Sequence, residues 1–167
     1  EPQMLVGIIA DTHDNLPVID RGLDLLEESG VQVLLHAGDL VAPFSLKLIL
    51  RKGLPLIGVF GNNDGERVGL GRMHGKLYEE PHRFELDGRT VLMAHEEDVL
   101  IEATRGEEDL LIHAHDHSAD IVAGPPLRVN PGEMGGWLTG RCTGAIVDTH
   151  DMTAELIEFG RQETPLS

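Results

Sequence analysis

The sequence predicts an α/β domain built from two β-sheets with helices outside them. Three observations predict it. The first sixty residues alternate β-α-β-α-β, with spacing that favours parallel strands and right-handed crossovers. The later residues break into short strands paired around turn signals. No linker, repeat or low-complexity stretch divides the 167 residues. Residues 4–160 are therefore read as one domain. Residues 1–3 are read as an expression remnant ahead of Met4, and residues 161–167 as a C-terminal tail.

Residues 4–10 (MLVGIIA) form a short apolar run rich in branched side chains, expected as a strand buried on both faces. Pro17 opens a helical pattern with Ile19, Leu23 and Leu26 on one face, and Gly30 stops it. Residues 33–37 are a second strand, 44–51 a second amphipathic helix ending near Gly53, and 56–60 a third strand. Residues 65–80 hold four glycines without a clear period and read as a loop or a loosely helical segment. Residues 84–86 and 90–94 flank Asp87-Gly88, a hairpin signal. A short helix is expected over 99–105 and a strand over 110–113. Short strands follow at 121–123 and 127–129 around Pro125-Pro126. Residues 144–149 and 153–159 form a last hairpin around His150-Asp151.

Composition narrows the function. There are 29 acids against 13 bases, a formal net charge of −16. Bulk nucleic-acid binding is not expected, because that affinity comes from clustered Lys and Arg. No apolar run reaches the ~20 residues of a membrane helix, and no basic leader opens the chain, so a cytoplasmic location without membrane attachment is expected. One cysteine, Cys142, excludes an internal disulfide framework.

Chemistry-bearing side chains fall at strand ends. Asp11 and His13 follow the first strand, Asp39 the second and Asn62 the third. His95 ends the strand over 90–94, and His115 and His117 follow the strand over 110–113. In parallel α/β sheets, sites form outside the carboxyl ends of the strands. In an extended segment, residues i and i+2 point the same way, so Asp11 with His13, and His115 with His117, can converge on one ion. Oxygen and imidazole donors without thiolate suit Mn, Fe, Zn, Ni or Co rather than a structural zinc site. The combined pattern points to a site for two metal ions.

These motifs resemble those of the calcineurin-like metallophosphoesterase superfamily, and most closely its short prokaryotic phosphodiesterase branch. The matching segments are Asp11-Thr12-His13, Gly38-Asp39, Gly61-Asn62, His95, and His115-Asp116-His117 where the family has G-H-x-H. Asn130-Pro131-Gly132 matches a segment that follows those histidines. The resemblance implies a four-layer α-β-β-α sandwich, with two mixed sheets face to face and flanking helices. It implies one metal held by Asp11, His13, Asp39 and His117. Asp39 bridges to a second, completed by Asn62, His95 and His115. Asp39, Asn62 and His95 carry the catalytic roles. Two divalent ions are implied, Mn2+ first, with Zn2+, Ni2+, Fe2+, Co2+ or Mg2+ allowed. The reaction implied is in-line attack on phosphorus by a hydroxide bridging the metals. Two ions, two carboxylates and one hydroxide leave the site locally about +1 inside an acidic protein, enough to draw a phosphate in.

Departures from the family pattern shape the remaining expectations. Many relatives carry His after the Gly-Asn, placed to protonate the leaving group; here the position is Asn63, which is not an acid at neutral pH. Asn63 and Asp64 are taken as candidate substrate contacts. Glu96 and Glu97 stand where relatives have Gly-His, either acidifying the mouth or capping the next helix. His36 reads as supporting the metal site or bonding to backbone. The expected partner is a small phosphate-ester substrate. A second copy of the chain is allowed, with Trp137 and Leu138 as candidate interface residues. The competing readings are a non-catalytic protein-binding scaffold on the same fold, a phosphomonoesterase and a nuclease for nucleotide-sized substrates.

Only three of the bases are lysines, and an acid-rich, lysine-poor surface is the halophile pattern. If self-repulsion limits stability, Tm rises by several degrees between 0.05 and 1 M KCl as charges are screened. A Tm independent of salt leaves an ordinary acidic protein.

Overall fold

The computed structural model describes residues 4–40, 42–62, 64–65 and 67–161. The chain runs β1 (Leu5–Ile9), α1 (Leu16–Glu28), β2 (Val33–His36), α2 (Pro43–Arg51) and β3 (Leu56–Val59). It continues with α3 (Arg67–Met73), β4 (Leu77–Tyr78), β5 (His82–Leu86), β6 (Arg89–Met93) and α4 (Glu97–Ala103). It closes with β7 (Leu110–Ile112), β8 (Asp120–Val122), β9 (Leu127–Asn130), β10 (Arg141–Asp148) and β11 (Thr153–Arg161). Among the described residues, no helix is long and apolar enough to cross a membrane.

Two mixed sheets result. One has strand order β11-β10-β1-β2-β3-β4 and the other β5-β6-β7-β9-β8. β1, β2, β3 and β4 are parallel, as are β6, β7 and β9. The hydrophobic pattern explains the layering. In β1, Val6 and Ile8 face the second sheet, where they meet Val91, Met93, Leu110 and Ile112. Ile9 faces the other way and packs with Leu23 and Leu26 of α1 and Leu46 and Ile49 of α2. In β6, Leu92 turns outward onto Leu100 of α4. Each central strand is therefore covered on both faces, which is why its run is continuously apolar. The expected α-β-β-α sandwich is the one the chain adopts.

Two local expectations change and a third holds. Residues 65–80 are more regular than their glycines suggest, forming α3 and the edge strand β4, with buried Leu70 tying α3 to the core. The short helix begins two residues earlier than expected, so Glu97 and Asp98 occupy its first turn; Glu96 sits at the cap position without a capping side-chain bond. The Asp87-Gly88 turn behaves as expected, both residues having positive φ (50° and 75°) as a two-residue hairpin requires.

The second sheet is closed at one end by a buried ion pair. Glu108, its side chain fully buried, meets Arg83 Nη1 at 2.5 Å and accepts the Arg105 and Gly106 amides. Burial pushes its pKa up, but those donors more than offset it and hold it at about 2. A depressed carboxyl pKa contributes stability above about pH 4.5 that is lost as pH falls toward 2. Glu108→Ala is expected to lower unfolding stability by about 3 kcal/mol at pH 7, because it strands Arg83. The gap to wild type should close as urea melts are repeated at pH 5, 4 and 3. A gap independent of pH would mean that packing, not charge, sets the loss.

Candidate metal centre

Five strands deliver side chains to one edge of the sandwich. Asp11 and His13 leave the end of β1, Asp39 the end of β2 and Asn62 the end of β3, three neighbouring parallel strands. His95 leaves β6 and His115 and His117 leave β7, neighbours in the facing sheet. Backbone bonds fasten the ends together: Asp11 N donates to Gly38 O (2.9 Å), His13 N to Asp39 O (3.2 Å) and Ala114 N to His95 O (2.9 Å).

The expected side chains converge, though not through extended backbone. Asp11, His13, Asp39, His115 and His117 all have left-handed φ, between 42° and 73°. Such conformations cost about 1–3 kcal/mol each and collect where a site over-determines the backbone. The close approach also needs Gly61: a Cβ there would overlap the Asp39 carboxylate and amide. At Gly38, a Cβ would lie 2.6 Å from His95 Nδ1.

Two groups of ligand-type atoms form, each within 4.8 Å: Asp11, His13 and His117, and Asp39, His95 and His115. Asp39 Oδ2 lies between them, 3.3 Å from His13 Nε2 and 3.4 Å from His95 Nε2. His95 Nε2 also faces Asn62 Oδ1 at 2.9 Å and His115 Nδ1 at 3.2 Å. Its other nitrogen donates to Ala37 O at 2.9 Å, which leaves Nε2 as the donor atom for a metal.

The donor set fits divalent cations. Asp11 is fully buried, yet neither carboxylate oxygen accepts a hydrogen bond, and His13 Nε2 is buried without one. Such orphans are costly unless a cation completes them. The carboxylates instead draw protons onto the imidazoles. Burial works against charging His13 and His95, but Asp39 and Asp11 overcome it and raise the pKa values to about 10 and about 9. His117 is raised chiefly by Glu133, against burial.

Glu133 is a residue the sequence reading passed over. Its carboxylate is buried, lies 3.4 Å from His117 Nδ1, and is held at about 2, against the pull of burial, by His117 and the Leu138 and Thr139 amides. Its position directly after Asn130-Pro131-Gly132 was the available signal. His36, left open between two roles, does both. Burial lowers its pKa to about 4; Nδ1 accepts the Gly38 amide, so the neutral ring donates from Nε2 to Thr12 Oγ1.

The expected substrate contacts fare differently. Asn63 lies outside the described residues. Asp64 is buried, and its Oδ2 accepts the amides of Asp39 (3.0 Å) and Gly61 (2.8 Å). These bonds shape the ligand loops. Arg67 reinforces that loop through Asp64 O and Gly61 O. Trp137, expected at an interface, is half-buried and donates its indole N–H to His13 O. Glu96, Glu97 and Asp98 share a hollow of about 310 Å³ with His115 and Asp116, so the mouth beside the second group is acidic.

Comparison with known proteins agrees with this geometry. Residues 4–152 match the calcineurin-like phosphoesterase superfamily domain. A phosphodiesterase of Methanocaldococcus jannaschii is 34% identical over 155 residues, covering 87% of this chain and 93% of the relative. A solved archaeal phosphodiesterase superposes with a TM-score of 0.83 at 31% identity, covering 93% of this chain and 99% of that one. Vacuolar protein sorting 29 of Cryptosporidium parvum, at 14% identity, shares the fold alone, with a TM-score of 0.69 and coverage of 95% and 97%. The chain thus belongs to the calcineurin-like phosphoesterase superfamily.

Proposed function

We propose that this protein is a divalent-metal-dependent phosphodiesterase, with residues 4–160 as its single domain, acting on a small phosphate ester in the cytoplasm. The observation that carries the reading is Asp39 Oδ2, one buried oxygen within 3.4 Å of an imidazole from each ligand group. A carboxylate so placed joins two cation sites into one centre. Asp11, His13, Asp39 and His117 would hold one ion, and Asp39, Asn62, His95 and His115 the other. The oxygen–imidazole set admits several divalent ions, of which Mn2+ is taken first on the family resemblance. Two bound cations supply a nucleophilic water of lowered pKa and neutralise charge on the phosphoryl oxygens.

The chain's own residues prepare that chemistry. His95 Nδ1, fixed on Ala37 O, sets the tautomer that leaves Nε2 basic. Asn62 is exposed and His115 is exposed, so the second group opens to solvent, where an ester can approach. The buried Asp11 carboxylate keeps the first group electronegative. The scaffold reading is not favoured, because suitable ligand types remain at all seven positions. Relatives named phosphodiesterases also cover most of the chain.

The test is hydrolysis of a chromogenic phosphodiester, and of its monoester, by chelator-stripped protein titrated with Mn2+. Diester turnover should appear with metal and saturate near two ions per chain. Two bound ions without turnover of either ester would overturn the enzyme reading and leave the scaffold. Asp39→Asn and His117→Asn tolerate the left-handed backbone. Each should cut kcat/KM at least about a thousandfold, about 4 kcal/mol, with unchanged circular dichroism. Full activity in Asp39→Asn would exclude a joined centre.

Metal uptake must also displace the protons held on His13 and His95. Apparent Mn2+ affinity should therefore fall about tenfold per pH unit per displaced proton as pH drops below about 9. Titration calorimetry in buffers of different ionisation enthalpy would detect the released protons. Affinity flat between pH 6 and 8 would show that those imidazoles are not displaced.

A further inference from the structure

One segment, residues 133–139, touches every ligand of the first group. Gly135 N donates to Asp11 O (3.1 Å), and Met134 N to Ala10 O (2.9 Å) just before it. Asn15 returns the contact from the far side, Nδ2 donating to Gly135 O at 2.6 Å. The Trp137 indole N–H donates to His13 O at 3.1 Å. Glu133 lies 3.4 Å from His117 Nδ1, the nitrogen turned away from Asp11. The same carboxylate holds the segment's other end, accepting Leu138 N (3.0 Å) and Thr139 N (2.6 Å). Approach is close enough that a Cβ on Gly135 would sit 2.8 Å from Thr12 O and 3.0 Å from Asp11 O. No hydrogen bond or ion pair found among the described residues joins this segment to Asn62, His95 or His115.

We infer that Glu133 is a positioning residue for the cation site of Asp11, His13 and His117, and that the 133–139 segment braces this site and not its neighbour. The inference rests on the reading that those three residues hold a cation. The physical reason is geometric. The carboxylate faces Nδ1 at ion-pair distance without hydrogen-bond geometry, which favours the His117 proton on that nitrogen and leaves Nε2 free toward Asp11. Gln at 133 cannot do both jobs. With its oxygen on the Thr139 amide, its NH2 faces His117 Nδ1 and selects the wrong tautomer. With its oxygen on His117, its NH2 meets the Thr139 N–H. The second site has its own, separate support in Ala37 O behind His95. The two sites should thus respond independently to changes in this segment.

Trp137 makes the inference measurable, since it is the protein's single tryptophan and bonds to the backbone of His13. Wild-type protein, Glu133→Gln and Trp137→Phe are stripped and titrated with Mn2+ and with Zn2+ by calorimetry; the two tryptophan-containing proteins are followed by fluorescence in parallel. In wild type, the fluorescence change should track one of two binding steps. It should persist in His115→Asn and vanish in His117→Asn. Glu133→Gln should weaken that one site 10- to 100-fold and leave the other within about twofold. Trp137→Phe should weaken the same site, by less.

A purely structural role for Glu133 would lower thermal stability and weaken both sites alike, which overturns the inference. So does unchanged binding at both sites in Glu133→Gln. If Glu133→Gln does not fold, wild-type fluorescence and Trp137→Phe decide: a signal following both steps equally, or loss at both sites, also overturns it. Wild type binding no ion at either group is a different result, because it refutes the metal centre itself.

Discussion

Two carboxylates, Asp11 and Asp39, are almost wholly removed from water where the ends of the two sheets meet. Buried anions are expensive unless something positive answers them. Here the answer comes from three directions. His13 stands near both acids, His95 reaches Asp39 from the facing sheet, and His117 approaches Asp11. The surrounding architecture follows from that demand. Glycines at 38 and 61 make room, and left-handed backbone at five ligand positions turns the side chains inward. The neighbouring polar groups, His36, Asp64 and Glu133, are each occupied in fixing a loop or a ring.

Protonated imidazoles satisfy the acids only provisionally. A divalent cation would place more charge at shorter range and give a direct partner to the Asp11 oxygens, which accept no hydrogen bond among the described residues. This also reconciles an anionic substrate with a chain of net charge −16. The attraction would be local to the loaded centre, beside a mouth lined by Glu96, Glu97 and Asp98. An enzyme built this way depends on its metals for substrate capture as well as for chemistry.

The two ligand groups are not equivalent. One, with His13 and His117 half-buried, is tied by hydrogen bonds to the segment that carries Glu133 and Trp137. The other is open through Asn62 and His115. Both groups span the junction between the sheets, the first from β1 and the loop after β7, against which the segment leading into β10 packs, the second from β2 and the ends of β6 and β7.

Much of this was legible in the amino-acid order. Apolar runs such as MLVGIIA declare strands covered on both faces, because only central parallel strands need no polar side. Asp, His and Asn directly after those runs announce a site at the carboxyl edge. The sequence order by itself thus determined the α/β class, the strand-end placement of Asp11, His13, Asp39, Asn62, His95, His115 and His117, and the family. Tertiary structure decided what sequence order does not encode. It decided that convergence comes from left-handed turns and not from extended alternation, since φ at a non-glycine residue is set by its surroundings. It spent Asp64 on the amides of Gly61, three residues away, and of Asp39, 25 residues away in the chain. It turned residues 67–73 into a helix because Leu70 found the core. It also brought Glu133 to His117 and Trp137 to His13, the latter contact spanning 124 positions. A carboxylate or an indole in a loop has no periodic signature, and only the folded chain gives it a neighbour.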